Sequence, residues 1–440
     1  MKKIYLDYAA TTPTDPKVIK AMQPYLANVF GNAGSLHKAG REAKSVIFQA
    51  RKKIAQILNC RPGEIIFTGS GTESDNLAIF GVARANLPAL HAQAWQAGKN
   101  LGNHIITSNI EHHAVLYPCE QLEKEGFKVI FSEVDKEGLL ILDSFKKSIN
   151  DSTVLVSVMY ANNEIGTIQP IKEISETIKQ VRQDRVKRGI KTPIYFHTDA
   201  CQAAGYLDLD VQKLGVDLLT LNGSKIYGPK GTGVLYVRAG VKIDPIIFGG
   251  GQETGKRSGT ENLSGIVGLA EALKIANQRR KSESQREIKL RDYFIKELFK
   301  NIFKMVLNGP PAQAGHPVKR LPNNVNISIL DIEGEAMLLW LDKYGIYVST
   351  GSACDSQSLD PSHVILALGR PYEYANGNLR FTLGRSTTKK DIDYVLKVLP
   401  KIVKKLRKIS PVNVKIDSRK VSTPEAFIGS NLSHLKTKTK

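Results

Sequence analysis

Apolar positions in the first half of the chain follow two rhythms. A helical rhythm runs over 38–58, where Ala43, Val46, Ile47, Ala50, Ile54, Ile57 and Leu58 share one face. Asp15 before Pro16 reads as an N-cap with proline in the first turn, which predicts a helix to about Leu26. Short β-rich runs then recur at 64–68, 104–107, 128–134, 153–159, 194–198, 217–221 and 233–237, several of them separated by helical stretches. This alternation predicts an α/β fold, a largely parallel sheet covered by helices on both faces.

After about residue 262 the pattern changes. A long polar-faced helix at 264–300 leads to a strand at 324–330, a helix at 334–343, a strand at 380–383 and a last helix at 388–408. These predict a smaller α+β domain completed by the extreme N-terminus. The division is a large domain over 16–262, a small domain from 1–15 and 263–408, and a basic, flexible tail over 409–440. Residues 86–102 read as a loop insertion and 309–322 as an exposed connection.

Composition narrows the class. The chain has 440 residues, 42% hydrophobic and 24% charged, enough for a sizeable core in an ordinary globular protein. No apolar run approaches the roughly 18 residues that span a bilayer. Asp7 interrupts the opening apolar run before a signal-peptide core forms, which argues against secretion. Four cysteines without a C-x-x-C pair make neither a disulfide framework nor a zinc or redox motif, and a reducing cytoplasm suits them. The net charge of +20 raises nucleic-acid binding, but residues 401–440 carry eleven Lys or Arg against Asp417 and Glu425, a net of +9. With much of the excess at one end, a solvated surface is favoured over a nucleic-acid footprint.

Four segments carry chemistry. Gly69-Ser70-Gly71-Thr72-Glu73 turns from a strand into a helix, either a plain tight turn or an anion site on free N–H groups. His197-Thr198-Asp199-Ala200-Cys201-Gln202 ends a strand, where Asp199 is a helix N-cap or the partner of a ligand's protonated ring nitrogen. Asn222-Gly223-Ser224-Lys225 places a lysine on the rim of the sheet, either solvated or desolvated into a Schiff-base nucleophile. Ser349-Thr350-Gly351-Ser352-Ala353-Cys354 sets a thiol in a small-residue polar loop, whereas Cys60, Cys119 and Cys201 sit in or beside element patterns and read as structural.

Together these segments resemble the cysteine desulfurases, fold type I pyridoxal-phosphate enzymes of the class-V aminotransferase superfamily. The resemblance runs from Tyr5-Leu6-Asp7-Tyr8-Ala9-Ala10-Thr11-Thr12-Pro13 to about Leu406. It is carried by T-E-S-D-N-L-A-I, I-E-H-H-A-V, N-N-E-I-G, H-T-D-A-C-Q, K-I-Y-G-P-K-G, R-S-G-T-E-N, S-T-G-S-A-C and L-R-F-T-L-G-R. It implies a large cofactor domain with a mostly parallel seven-stranded sheet, a smaller domain carrying the cysteine loop, and pyridoxal 5'-phosphate as cofactor. The implied reaction takes L-cysteine to L-alanine and passes sulfur, through an enzyme persulfide, to an acceptor protein of iron–sulfur cluster assembly or tRNA thiolation. A selenocysteine lyase or another class-V aminotransferase-like enzyme is the alternative. A catalytically dead scaffold is disfavoured because Lys225, Asp199, His112, Arg380 and Cys354 are all present.

The resemblance also implies roles. Lys225 matches the Schiff-base lysine, Asp199 the partner of the pyridine nitrogen, and His112 the histidine stacked on the ring. Asn163 and Gln202 match side chains near the cofactor and substrate, and Gly71 and Thr72 the phosphate turn. Thr260 matches a threonine reaching the partner subunit's cofactor, which implies a homodimer. Arg380 matches the substrate-carboxylate arginine, and Cys354 the thiol that becomes the persulfide. No metal is implied, since the adjacent His112 and His113 do not face each other on a helix. Two departures stand out: Asn222 and Ser224 replace the usual serine and histidine of S-x-H-K, and Asp355 adds a negative charge that should raise the neighbouring thiol's pKa.

Overall fold

Short apolar strands with polar last residues build the centre of the molecule. The computed structural model describes residues 3–86, 102–312, 315–316, 318–351 and 361–411. After a two-residue strand β1 (Ile4–Tyr5) come β2 (Ile65–Thr68), β3 (His104–Ser108), β4 (Lys128–Ser132), β5 (Thr153–Ser157), β6 (Tyr195–Asp199), β7 (Leu218–Asn222) and β8 (Gly233–Val237). The last seven form one sheet in the order β2-β8-β7-β6-β5-β3-β4. Strands β3 to β7 run parallel, and β8 is antiparallel to both its neighbours. Helices cover the sheet, so β5 is buried along its whole length and reads as a continuous apolar run instead of an alternating one.

The covering helices follow from local sequence. Helix Lys38–Leu58 buries Ala43, Ile47, Ala50, Ile54 and Leu58 and ends at Asn59 in the left-handed conformation. The helix expected over 16–26 is divided: Asp15 caps Pro16–Met22, and a separate turn, Pro24–Ala27, follows. Pro24 has no N–H to continue the ladder, which accounts for the break. The strands expected over 128–134 and 153–159 stop at Ser132 and Ser157, because beyond them the backbone serves the loops at the sheet edge: Asn109 N–H donates to the Ser132 carbonyl and Met159 N–H to the Glu111 carboxylate.

The second part of the chain is built on β9 (Met305–Leu307), β10 (Asn324–Ile329) and β12 (Asn378–Thr382), an antiparallel sheet with β10 central. Strand β11 (Ile346–Tyr347) pairs in parallel with β1, which brings the N-terminus here. The 39-residue helix Leu263–Asn301 joins the two parts. Its first half places Leu263, Ile266, Leu269 and Leu273 in the core of the seven-stranded sheet. Its last turns place Phe294, Ile295 and Leu298 in the core around β10 and β12. Ser108, Ser157, Asp199 and Asn222 are the last residues of β3, β5, β6 and β7, at the carboxyl edge where such sheets gather ligands.

Candidate active site

The lysine turn is held by its own side chains and by the N-terminus. Asn222 Oδ1 accepts the Ser224 N–H at 3.1 Å and the Ser224 hydroxyl at 3.0 Å, closing the turn Gly223–Lys225 directly after β7. Lys225 Nζ donates to the carbonyls of Ala9 at 2.9 Å and Ala10 at 2.7 Å. Gln202 Nε2 shares the Ala9 carbonyl at 3.0 Å. Thr12 completes the tie: its hydroxyl donates to the Ser224 carbonyl at 2.8 Å and accepts the Tyr227 N–H at 2.7 Å. Tyr227 sits at φ 63, a strained conformation for a non-glycine residue, held by the Arg385 N–H on its hydroxyl and the Arg385 guanidinium 4.0 Å over its ring.

Residues 7–12 were not singled out as site residues on sequence grounds. The available signal was a run of small and polar residues, Asp7-Tyr8-Ala9-Ala10-Thr11-Thr12, straight after the first apolar strand.

The glycine-rich turn abuts the ends of β6 and β7. Gly71 opens helix Gly71–Ala85, which Ser70 caps by accepting the Glu73 N–H at 3.0 Å. A Cβ at Gly71 would lie 2.9 Å from Cys201 Sγ and 3.2 Å from Asn222 Cβ, so only glycine lets the helix start this close. Thr72, next in the chain, is exposed. Asp199 is buried, with Oδ1 accepting the Cys201 N–H at 2.8 Å.

Around Asp199 the interior holds other titratable groups. His112 caps helix His113–Lys124 with Nδ1 accepting the Ala114 N–H at 3.0 Å, so the proton of its neutral ring sits on Nε2. Burial lowers the His112 pKa, with the charge of Asp199 opposing that shift and that of Lys225 adding to it. Glu111 is fully buried, Oε1 accepting from Ser108 Oγ at 2.5 Å and the Met159 N–H at 2.9 Å, while Oε2 has no partner. Burial pushes its carboxyl up to about 8, with Asp199 adding to the rise. Asp75 is raised well above the carboxylate range by burial and by Asp199. His197, between Ser157 Oγ at 2.8 Å and Thr220 Oγ1 at 3.1 Å, is lowered by burial to about 4. Asp75 and Glu111 lie inside the quoted motifs, yet nothing local in sequence marks them as neighbours of Asp199, whereas His197 shares its face of β6 two residues earlier.

Arg380, on β12, is almost wholly buried. Nη2 donates to Asp7 Oδ1 at 2.8 Å and Nη1 to the Asn163 carbonyl at 3.1 Å. Its Nε is buried without a partner. A guanidinium has five N–H donors, and these two bonds leave three for an incoming carboxylate.

The structure therefore draws His112, Asp199, Gln202, Lys225, Asn222, Ser224 and Gly71 together at one sheet edge, with Asn163 and Arg380 joined beside it. Thr260 is exposed after Gly259 and joins none of these contacts among the described residues. Cys354 and Asp355 lie outside the described residues. Cys119 and Cys201 are buried and Cys60 half-buried, all three as free thiols. No group of three His, Cys, Asp or Glu among the described residues is arranged to hold a metal ion.

This donor set fits a pyridoxal phosphate. Gly71 lets the N-terminus of helix Gly71–Ala85 pack directly against Cys201 and Asn222, with no Cβ in the way, and a helix N-terminus suits a phosphate. A buried carboxylate, Asp199, suits a protonated ring nitrogen, and Lys225 supplies the amine.

Comparison with known proteins agrees with this geometry. The class-V aminotransferase pattern matches residues 4–395. A cysteine desulfurase IscS from Dictyoglomus turgidum is 49% identical over 410 residues, covering 93% of this chain and 97% of the relative. A solved NifS-like protein superposes with a TM-score of 0.80 at 34% identity, covering 92% of this chain and all 100% of its own. A solved SspA in complex with cysteine has a TM-score of 0.71 at 33% identity, covering 87% of this chain and 99% of its own.

Proposed function

The chain belongs to the class-V aminotransferase family, and we propose that it works as a pyridoxal-phosphate-dependent cysteine desulfurase. The observation that carries the reading is the placing of the Lys225 amine directly after β7 and of the buried Asp199 carboxylate at the end of β6, beside a buried arginine with an unpaired donor. Pyridoxal phosphate, when bound, supplies an electron sink for the carbon next to the substrate amine. Gly71, Thr72, Asn222 and Ser224 would hold its phosphate, Asp199 would keep a proton on its ring nitrogen, and Lys225 would anchor it. Asn and Ser hydroxyl and amide groups here take the place of the imidazole in the usual S-x-H-K run.

Arg380 takes the carboxylate of L-cysteine, with Asn163 beside it, and Gln202 lies next to the lysine. His112 Nε2 and Lys225 Nζ move protons at the substrate carbons, and burial lowers the His112 pKa and so favours its neutral ring. The Cys354 thiolate attacks the substrate sulfur. The carbon–sulfur bond breaks with its electron pair left on carbon, carbon takes a proton, and sulfur stays on Cys354 as a persulfide. L-cysteine and a thiol thus become L-alanine and a persulfide, with atoms and electrons balanced.

The outer sulfur of the persulfide then passes to a thiol of an acceptor protein of iron–sulfur assembly or tRNA thiolation, leaving Cys354 as a thiol, in the cytoplasm; the free thiols of Cys60, Cys119 and Cys201 support a reducing compartment. No helix among the described residues is long and apolar enough to cross a membrane. The active form is a homodimer in which Thr260 reaches the second copy's cofactor. Leu26, Phe30, Leu36 and Phe248 are exposed apolar side chains of the kind that a second copy would cover.

The test is single-turnover alanine formation from L-cysteine by the cofactor-loaded chain without added reductant, followed by mass spectrometry of the Cys354 peptide. Stoichiometric alanine with a sulfur-heavier peptide is expected. Bound cofactor without alanine would sink the reading.

A further inference from the structure

One N-terminal segment holds Lys225 at both its root and its tip. At the tip, Lys225 Nζ donates to the carbonyls of Ala9 and Ala10, at 2.9 and 2.7 Å. At the root, the Thr12 N–H donates to the Ser224 carbonyl at 2.9 Å, and the Thr12 hydroxyl donates to the same oxygen at 2.8 Å. That carbonyl belongs to the peptide bond leading into Lys225. The Thr12 hydroxyl also accepts the N–H of Tyr227, just beyond the lysine, at 2.7 Å. Asp15 N–H donates to the Tyr227 carbonyl at 3.0 Å. Its Oδ2 accepts from Arg385 Nη1 at 3.0 Å, and the same guanidinium covers the Tyr227 ring.

Tyr227 depends on these contacts. Its φ of 63 lies in the left-handed region, where a side chain with a ring is strained and persists only if its surroundings over-determine it. Backbone strain of this kind collects where the chain must aim a functional group. Thr12 is 2% exposed, so water has no access to take over the work of its hydroxyl. A hydroxyl donates and accepts at once, and here a single oxygen serves both flanks of the lysine. Valine has the same shape as threonine but could bridge neither.

We propose that Thr12 is a positioning residue for Lys225: its hydroxyl, bridging the Ser224 carbonyl and the Tyr227 N–H, holds the lysine turn so that the amine meets the aldehyde carbon of pyridoxal phosphate. The proposal rests on the pyridoxal-phosphate reading with Lys225 as the anchoring amine. The carbon–nitrogen bond forms from the amine's electron pair, and the aldehyde oxygen leaves as water with the two amine protons. The rate of such an attack falls steeply when the reacting atoms are misplaced, even where binding is kept. Non-covalent binding of the phosphate and the ring nitrogen falls to the helix start at Gly71 and to Asp199, neither of which is hydrogen-bonded by the Thr12 hydroxyl. The Thr12 N–H also keeps the Ser224 carbonyl when the hydroxyl is removed. Loss of the hydroxyl should therefore separate covalent capture from binding.

The experiment uses the full chain freed of cofactor and the variants Thr12→Val, Thr12→Ala and Thr12→Ser. Two quantities are read. One is the affinity for pyridoxamine 5'-phosphate, which has no aldehyde and binds without a bond to the lysine. The other is the rate at which pyridoxal phosphate becomes bonded to Lys225, followed by absorption and mapped by mass spectrometry after borohydride reduction. Thr12→Val and Thr12→Ala are expected to keep the affinity within about twofold and to slow capture by about tenfold. Thr12→Ser keeps the hydroxyl and should restore the native rate. Native capture by both Thr12→Val and Thr12→Ala overturns the proposal, as does a parallel loss of affinity and capture in both, which would mark a merely structural role. A native chain with no pyridoxal phosphate on Lys225 removes the cofactor reading and the proposal with it, whereas the first two results remove the proposal alone.

Discussion

Arg380 on β12 reaches Asp7 at 2.8 Å, a contact between residues 373 positions apart that ties the N-terminal segment to the substrate end of the site. The side chain of Arg380 is 2% exposed and that of Asp7 16%. A pair this enclosed fixes the plane of the guanidinium, and with it the direction of the unused donors.

Removing one partner of such a pair leaves a buried charge unmatched. Asp7→Ala is expected to cost about 3 kcal/mol of stability, whereas Asp7→Asn, which keeps an acceptor, should cost clearly less. Arg380→Lys should retain cofactor absorption but lower kcat/KM for L-cysteine by at least about tenfold, mainly through KM, because a point charge cannot present the fork. Urea unfolding and steady-state kinetics check the two arms. An Arg380→Lys enzyme with native KM would mean that the carboxylate is bound elsewhere.

The described thiols are poor competitors for sulfur chemistry. Burial pushes Cys60 up to about 12, raises Cys119, and raises Cys201 well above the usual range with Asp199 adding to the effect. Near neutral pH these groups hold almost no thiolate, the reactive form. Iodoacetamide at mild pH should therefore label Cys354 first, and Cys354→Ala should bind L-cysteine without forming an enzyme persulfide. A persulfide mapped to Cys60, Cys119 or Cys201 would contradict the assignment.

The alternation of apolar runs reported the seven-stranded sheet because each parallel strand is buried on both faces and reads as a block, as β5 does. It did not report β1, β9 or β11, since two- or three-residue strands have no period to detect. The N-cap at Asp15 marks where this helix starts, but it carries no information about its end, which Pro24 sets by lacking the N–H that would continue the ladder. In the site, Lys225, Asp199 and His112 could be located because each ends or caps an element in a recognisable motif. Their partners could not: Lys225 leans on Ala9 and Ala10, 216 and 215 residues away, and such pairings come from the way the two sheets pack.

Glu111 should leave a signature in the pH dependence of stability. Burial raises its carboxyl from the ordinary 4.5 to about 8, so between these values the folded chain holds a proton that the unfolded chain has released. Stability contributed by this protonated carboxyl is complete below the unfolded pKa and is lost as pH rises toward the folded one, at a slope of at most about 1.4 kcal/mol per pH unit. Glu111→Gln keeps the shape without the titration. Its melting temperature relative to the native chain is therefore expected to rise steadily across this window, and a constant difference would show that Glu111 ionises normally.

The basic C-terminal end should be dispensable for the fold and the cofactor. Helix Lys389–Ile409 buries Ile392, Val395, Leu399, Ile402, Val403 and Leu406, and Ser410 closes it by donating its N–H to the Leu406 carbonyl at 3.0 Å. The last buried side chain thus precedes the C-cap, and the class-V pattern ends earlier still, at residue 395. Deleting 411–440 removes charge and leaves every buried side chain of this helix in place, so the truncated chain should melt within about 2 °C of the native one with the same cofactor absorption. Ending the chain at 398 should instead strip Leu399, Ile402, Val403 and Leu406 from the second core and unfold that part. Loss of cofactor by the shorter deletion alone would assign residues 411–440 a place in the active site.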